Sequence, residues 1–175
     1  MGQPPHFDIE GSIYFITTRL KGKGQYLNEY ESEIIQRTIL DIACKGEFVL
    51  YAYVVMPDHV HILLKPVSSG ISKNMQLIKG RTAREINIHR EAKASSTPLD
   101  SRKVNDWGRV DFSRPINLWQ KGFFDFTIIK EEKFREKFNY IHYNPVKWGL
   151  AGKAEEYKYS SAKEYKVKYG EVFYE

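Results

Sequence analysis

The sequence predicts an α+β domain: a ferredoxin-like antiparallel sheet with helices packed on one face. Three observations predict it. Strand-like and helix-like segments alternate in the order β-α-β-β-α-(loop)-β-α. Two β-rich runs, 48–56 and 59–65, are separated only by Pro57-Asp58, a tight turn signal, so they pair as a hairpin. Apolar residues recur at helical spacing in the segments between strands.

Taken in order, residues 12–19 (SIYFITTR) are β-branched and aromatic without a breaker, a strand. The basic, glycine-rich KGKGQ that follows marks a turn. Asn28 with Glu31 three residues on is a capping-box start. Ile34, Ile35, Thr38, Ile39, Ile42 and Ala43 then form the apolar stripe of a helix that Gly46 ends. Cys44, the sole cysteine, closes that stripe as a small core hydrophobe. After the hairpin comes a long helix over 71–94, with six Lys or Arg against two Glu between Lys73 and Lys93. Residues 95–115 lack periodicity and form a long loop, of the kind that is functional or disordered. Residues 118–129 read as a strand interrupted by Gly122. Residues 131–143 form a helix with acidic residues at its start, closed by Asn144-Pro145. The tail, 157–169, is basic, aromatic and partly helical.

A chain of 175 residues suits one domain, here a core over about 10–150 with a tail over 151–175. The hydrophobic content of 42% supports a packed core. No apolar run approaches the ~20 residues of a membrane span, and the N-terminus lacks a secretory signal. A single cysteine excludes an internal disulfide, so a reducing cytoplasm is expected. A net charge of +5 permits a nucleic-acid partner without demanding one. No phosphate-binding glycine loop and no Ser-His-Asp signature point to another enzyme class.

Chemistry concentrates at His59 and His61. Residues at i and i+2 of a strand share a face, and two imidazoles side by side can bind one metal ion. On the last predicted helix Tyr140 and Asn144 are four apart and share a face, whereas Phe134, Phe138 and Ile141 form a separate, core-facing stripe. Tyr143 shares part of the Tyr140 face but lacks an amide at i+4. His6, His89 and His142 have no partners in sequence and read as surface residues.

Three segments, in order, carry a resemblance that spans nearly the whole chain: YFITTRL near the start, MPDHVHILLKP around the histidine pair, and LWQKGFFDFTII with NYIHYNPVKWGLA. They resemble the REP-associated tyrosine transposases, single-tyrosine members of the HUH endonuclease superfamily. The resemblance implies the HUH endonuclease fold and makes Tyr140 the nucleophile. It places Asn144 as a third metal ligand beside His59 and His61. It implies cleavage of single-stranded DNA through a 5′-phosphotyrosine link that a second 3′-OH can reseal, on a substrate of hairpin-forming repeats. The metal is Mg²⁺ or Mn²⁺, the imidazole pair tilting the choice toward Mn²⁺. A self-contained monomer fits the full-length tail, with a dimer as the alternative. A catalytically inactive protein that only binds repeat hairpins is the rival reading. Larger HUH nucleases with two tyrosines or a helicase do not fit this chain.

Lys79, Arg81 and Arg84 on the basic helix, with Lys121 and Lys147, are candidate phosphate contacts. Trp119, Phe123 and Phe124 are candidates for base stacking, with core packing expected for at least two of them. The chain departs from many relatives at two places. Phe126 stands where they carry a histidine, and Tyr157-Lys158-Tyr159 precedes Ser160-Ser161 where they carry Trp-Pro-Trp.

Overall fold

The computed structural model of the chain describes residues 9–22, 24–96 and 117–169. Its elements run β1 (Ile13–Arg19), α1 (Glu29–Cys44), β2 (Phe48–Val55), β3 (His59–Pro66), α2 (Ile71–Ser96), β4 (Phe124–Ile128), α3 (Glu131–Lys147) and α4 (Ala162–Tyr169). The four strands pair antiparallel in the order β2-β3-β1-β4, the ferredoxin-like arrangement.

Local signals set the boundaries. The Asn28 side chain accepts from the Glu31 N–H at 3.0 Å, and the Glu31 carboxylate accepts from the Asn28 N–H at 3.2 Å, closing the capping box of α1. Glu31 also receives the Arg90 guanidinium at 2.5 and 3.0 Å, tying α1 to α2. Cys44 is exposed rather than in the core, because the buried stripe ends two residues earlier at Ile42.

Alternation along the strands divides the core in two. Tyr14, Ile16, Tyr53, Val55, Val60, Ile62 and Leu64 face α1 and α2, where Ile35, Ile39, Met75 and Ile86 meet them. Each such side chain stabilises the fold by roughly 1.5–3 kcal/mol on burial. Phe15, Ala52, Val54 and Leu63 face the other way and pack against Phe138 and Ile141 of α3. Helices on one face therefore describes α1 and α2 alone. α3 lies beyond the β-α-β-β-α-β unit, and its apolar stripe covers the opposite face. Tyr51 is an extra residue in β2, a bulge between the pairs Leu50↔Leu64 and Ala52↔Leu63, and its ring meets Phe134 edge-on at 5.3 Å.

Two boundaries differ from expectation. β4 begins at Phe124, because Gly122 adopts φ +71° and separates it from Trp119, which makes only an isolated bridge to Leu20. α3 does not stop at Asn144-Pro145 but runs through Pro145 to Lys147. It closes instead at Gly149, φ +69°, where the Leu150 N–H reaches Pro145 O at 2.8 Å and the Gly149 N–H reaches Val146 O at 3.0 Å. This is a Schellman end, and it keeps Asn144 in helical geometry one turn beyond Tyr140.

The tail is part of the fold. Val55 N–H donates to Tyr159 O and Ser161 N–H to Tyr53 O, so residues 159–161 flank the free edge of β2. Most of the expected loop 95–115 lies outside the described residues, as does His6.

Candidate active site

β3 presents His59 and His61 on the face toward α3, as the i, i+2 spacing requires. Their rings lie 4.7 Å apart between centroids. α3 brings Tyr140 over them: its ring stands edge-on to His61 at 5.2 Å and to Phe15 at 5.9 Å. Phe15 stacks on His61 from β1 at 5.3 Å. Both histidines are buried, at 5% and 3% exposure, whereas Tyr140 is 41% exposed and presents its ring to solvent beside them.

Each imidazole is held from behind. Asp58 accepts the N–H of His59 Nδ1 at 2.5 Å. Thr17 Oγ1 lies 2.8 Å from His61 Nδ1, across the register pair Thr17↔His61. With Nδ1 engaged in this way, Nε2 is the nitrogen left to face the site. Burial pushes His61 down to about 3, with His59, Arg19 and Lys137 adding repulsion. His59 is also lowered by burial, against the opposing pull of Asp58. Both rings are therefore neutral near pH 7, the form that donates a lone pair to a metal.

Among the described residues no three His, Cys, Asp or Glu side chains cluster as a metal site. Any third protein ligand beside the two histidines would come from another residue type. Asn144 is 2% exposed, and neither its side-chain oxygen nor its nitrogen has a hydrogen-bond partner; His61 Nε2 is likewise buried without one. Buried polar atoms left without partners are rare and costly. A cation-binding role fits these atoms: two neutral imidazoles and an amide oxygen are nitrogen and oxygen donors suited to Mn²⁺ or Mg²⁺.

The same face holds residues that the sequence did not single out. Lys137, one turn before Tyr140, places Nζ 6.0 Å from the Tyr140 ring centroid, 5.3 Å from Phe15 and 5.6 Å from Phe126. Its i−3 spacing from Tyr140 was a legible signal. Arg19 sits 3.7 Å from Asp58. Asp58 was visible only as half of a turn, and Thr17 becomes relevant only through strand register.

The family's sequence profile, described as IS200-like transposase, matches residues 9–144. The chain belongs to that transposase family. It is also similar to a Haemophilus influenzae protein assigned to the REP-associated tyrosine transposases, with 26% identity over 87% of this chain and 80% of that protein. An Escherichia coli K12 REP-associated tyrosine transposase is 20% identical over 92% of this chain and 82% of its own length. The solved structure of a REP-associated tyrosine transposase bound to a REP hairpin superposes with a TM-score of 0.71 at 20% identity, covering 97% of this chain and 87% of that one. The fold expected from the resemblance is thus the fold observed. As an IS200-like transposase the chain falls among enzymes that act on DNA, and no described helix is long and apolar enough to cross a membrane.

Several expected contacts are placed elsewhere. Lys79, Arg81 and Arg84 belong to α2, which packs on the sheet face opposite the histidine pair. Lys79 Nζ donates to Gln120 O at 2.8 Å and Gly122 O at 2.6 Å, fastening the segment before β4. Arg81 pairs with Asp41 at 2.7 Å. Arg81 thus braces α2 against α1, whereas Lys79 braces it against the segment before β4. Lys121 and Lys147 are exposed. Trp119 and Phe123 are buried, and Trp119 Nε1 donates to Thr82 Oγ1 at 3.0 Å; Phe124 alone of the three aromatics is exposed. His142 is fully buried rather than on the surface, with Nε2 2.8 Å from Ser161 Oγ and the Phe138 ring edge-on at 4.4 Å. The tail supplies that cover. His89 is half-buried against Tyr30 at 4.0 Å.

Proposed function

We propose that this transposase cuts and rejoins single-stranded DNA at hairpin-forming repeats, with Tyr140 as the nucleophile. One observation carries the proposal. An exposed tyrosine lies against a buried histidine whose Nε2 has no partner, one helical turn from an asparagine whose side chain has none either. In the reaction a bond forms between Tyr140 Oη and the scissile phosphorus as the bond from phosphorus to the 3′ oxygen breaks. The phenol loses its proton to solvent and the departing 3′ oxygen takes one up, leaving a 5′-phosphotyrosine and a free 3′-OH. Attack by a second 3′-OH on that ester reseals the strand without an external energy source.

His59, His61 and Asn144 would hold a divalent cation, Mg²⁺ or Mn²⁺, which when bound polarises the phosphate as a Lewis acid. Asp58 accepts the His59 Nδ1 proton and Thr17 fixes the orientation of the His61 ring, leaving Nε2 as each ring's remaining donor atom. Tyr140 meets the histidine pair of its own chain, which supports a site complete in a monomer. The DNA-bound state of the solved structural neighbour supports repeat hairpins as the substrate class.

The test incubates the protein with end-labelled single-stranded hairpin oligonucleotides in Mn²⁺ or EDTA and resolves products on a denaturing gel. The expected result is a metal-dependent covalent adduct that disappears in Tyr140→Phe. Binding with no adduct on any repeat would make the protein a hairpin-binding module instead.

A further inference from the structure

β4 is an edge strand, and its residues alternate between the two faces of the sheet. Register pairs Phe126 with Phe15 and Phe124 with Thr17, so both phenylalanines point to the face that carries His61 and Tyr140. On that face one row crosses three strands as His61, Thr17, Phe124, which sets Phe124 about 10 Å from His61 at two strand spacings. Phe124 is 58% exposed and Phe126 39%, although Phe15 beside them is buried. α3 packs chiefly over β2 and touches β3 and β4 less, and both phenylalanines stay exposed beside it. Two adjacent exposed aromatic rings are an apolar patch that folding alone does not require. A lysine stands beside them: Lys137 Nζ, paired with the exposed Glu136 carboxylate at 2.9 Å, lies 5.6 Å from the Phe126 ring centroid and 6.0 Å from that of Tyr140.

From this arrangement we propose that Phe124 and Phe126 form a stacking platform for two bases of the single strand next to the scissile phosphate, with Lys137 contacting the intervening backbone phosphate. Aromatic faces accept any base, and a single lysine between platform and nucleophile matches the alternation of base and phosphate along a strand. The proposal rests on the reading above only for the path of the strand, and it concerns binding rather than bond cleavage.

Full-length Tyr140→Phe protein in EDTA is titrated into a mixed-sequence single strand that carries 2-aminopurine at successive positions. Stacking quenches the probe at one or two neighbouring positions. Phe124→Ala and Phe126→Ala each weaken binding about 5- to 100-fold and remove that quench, and Phe124→Trp retains both. The salt dependence of binding is unchanged in the phenylalanine variants but falls by about one ion in Lys137→Ala. If an alanine variant fails to fold, Phe124→Leu and Phe126→Leu, which keep apolar bulk without a π-face, decide the question. Leucine variants that bind as tightly as the parent, or quenching that persists in them, would overturn the platform; so would the pattern expected if another segment of this chain covers the patch, no quench at any position. The wild-type adduct assay runs in parallel. An adduct without quenching removes the platform alone, whereas quenching without an adduct removes the nuclease reading and leaves the platform standing.

Discussion

Thr17 Oγ1 stands 2.8 Å from His61 Nδ1, so a residue on the neighbouring strand anchors one nitrogen of His61 while its Nε2 stays buried without a partner. Replacing Thr17 with valine keeps the β-branched shape and removes the hydrogen bond. Mn²⁺ affinity is expected to fall about 10- to 100-fold, the usual effect of losing an outer partner of a ligating histidine. Stability should change by only about 1 kcal/mol. Calorimetric titration of Mn²⁺ with urea unfolding in EDTA separates the two, and unaltered metal affinity would refute this role for Thr17.

The buried histidines give the fold an acid limit. Burial pushes His61 down to about 3 and His142 to about 4, from an ordinary value of 6.5. The folded state resists protonation, while the unfolded chain takes up protons near 6.5. The stability held by neutral burial is therefore fully present above about pH 6.5 and is lost as pH falls through 6.5 toward 4 and then 3. Between pH 7 and pH 5 each histidine is expected to remove on the order of 1–2 kcal/mol. Urea unfolding in EDTA across this range should show the decline, and His142→Gln should make it shallower. A stability that stays flat down to pH 5 would contradict it.

Lys79 fastens two backbone carbonyls ahead of β4, and burial lowers its pKa. Lys79→Met keeps the apolar stem and leaves those carbonyls without their donor. Stability should drop by roughly 1–3 kcal/mol, while single-strand affinity stays within about two-fold because one phosphate contact fewer would instead change the salt slope. A large loss of affinity with unchanged stability would return Lys79 to the DNA interface.

Ser161 joins three elements. Its hydroxyl meets His142 Nε2 at 2.8 Å on α3 and lies 3.0 Å from the Tyr53 N–H on β2, while its own backbone belongs to the tail. Ser161→Ala should cost about 1–3 kcal/mol, the penalty for leaving buried polar partners unsatisfied. Thermal unfolding checks this, and limited proteolysis should show the tail cut earlier than in the parent.

Much of the fold was legible because it rests on local rules. Asn28 and Glu31 announced the start of α1, Pro57-Asp58 the hairpin, and the stripes at 34–42 and at Phe134, Phe138 and Ile141 the two helix faces that pack. The pairing of His59 with His61 followed from strand alternation, and that of Tyr140 with Asn144 from helix periodicity. What was not legible depends on contacts distant in sequence. Pro145 looked like a stop, but α3 runs through it at the loss of one intrahelical donor, and Gly149 provides the real end. His142 looked exposed until the tail folded over it. The charges of α2 suggested a DNA surface, but Lys79 is engaged with the segment before β4 and Arg81 with α1, and the cation beside Tyr140 is Lys137.

The alternation of β3 has an evolutionary consequence. His59 and His61 face α3, while Val60 and Ile62, alternating with them, fill the core on the far side. Deleting a single residue from this strand would exchange the two sets, sending imidazoles into oil and aliphatic side chains into the site. A lineage can therefore retune this face by substitution, but not by changing the strand's length. Insertions and deletions among active descendants should be sought in the connections and be missing from β3.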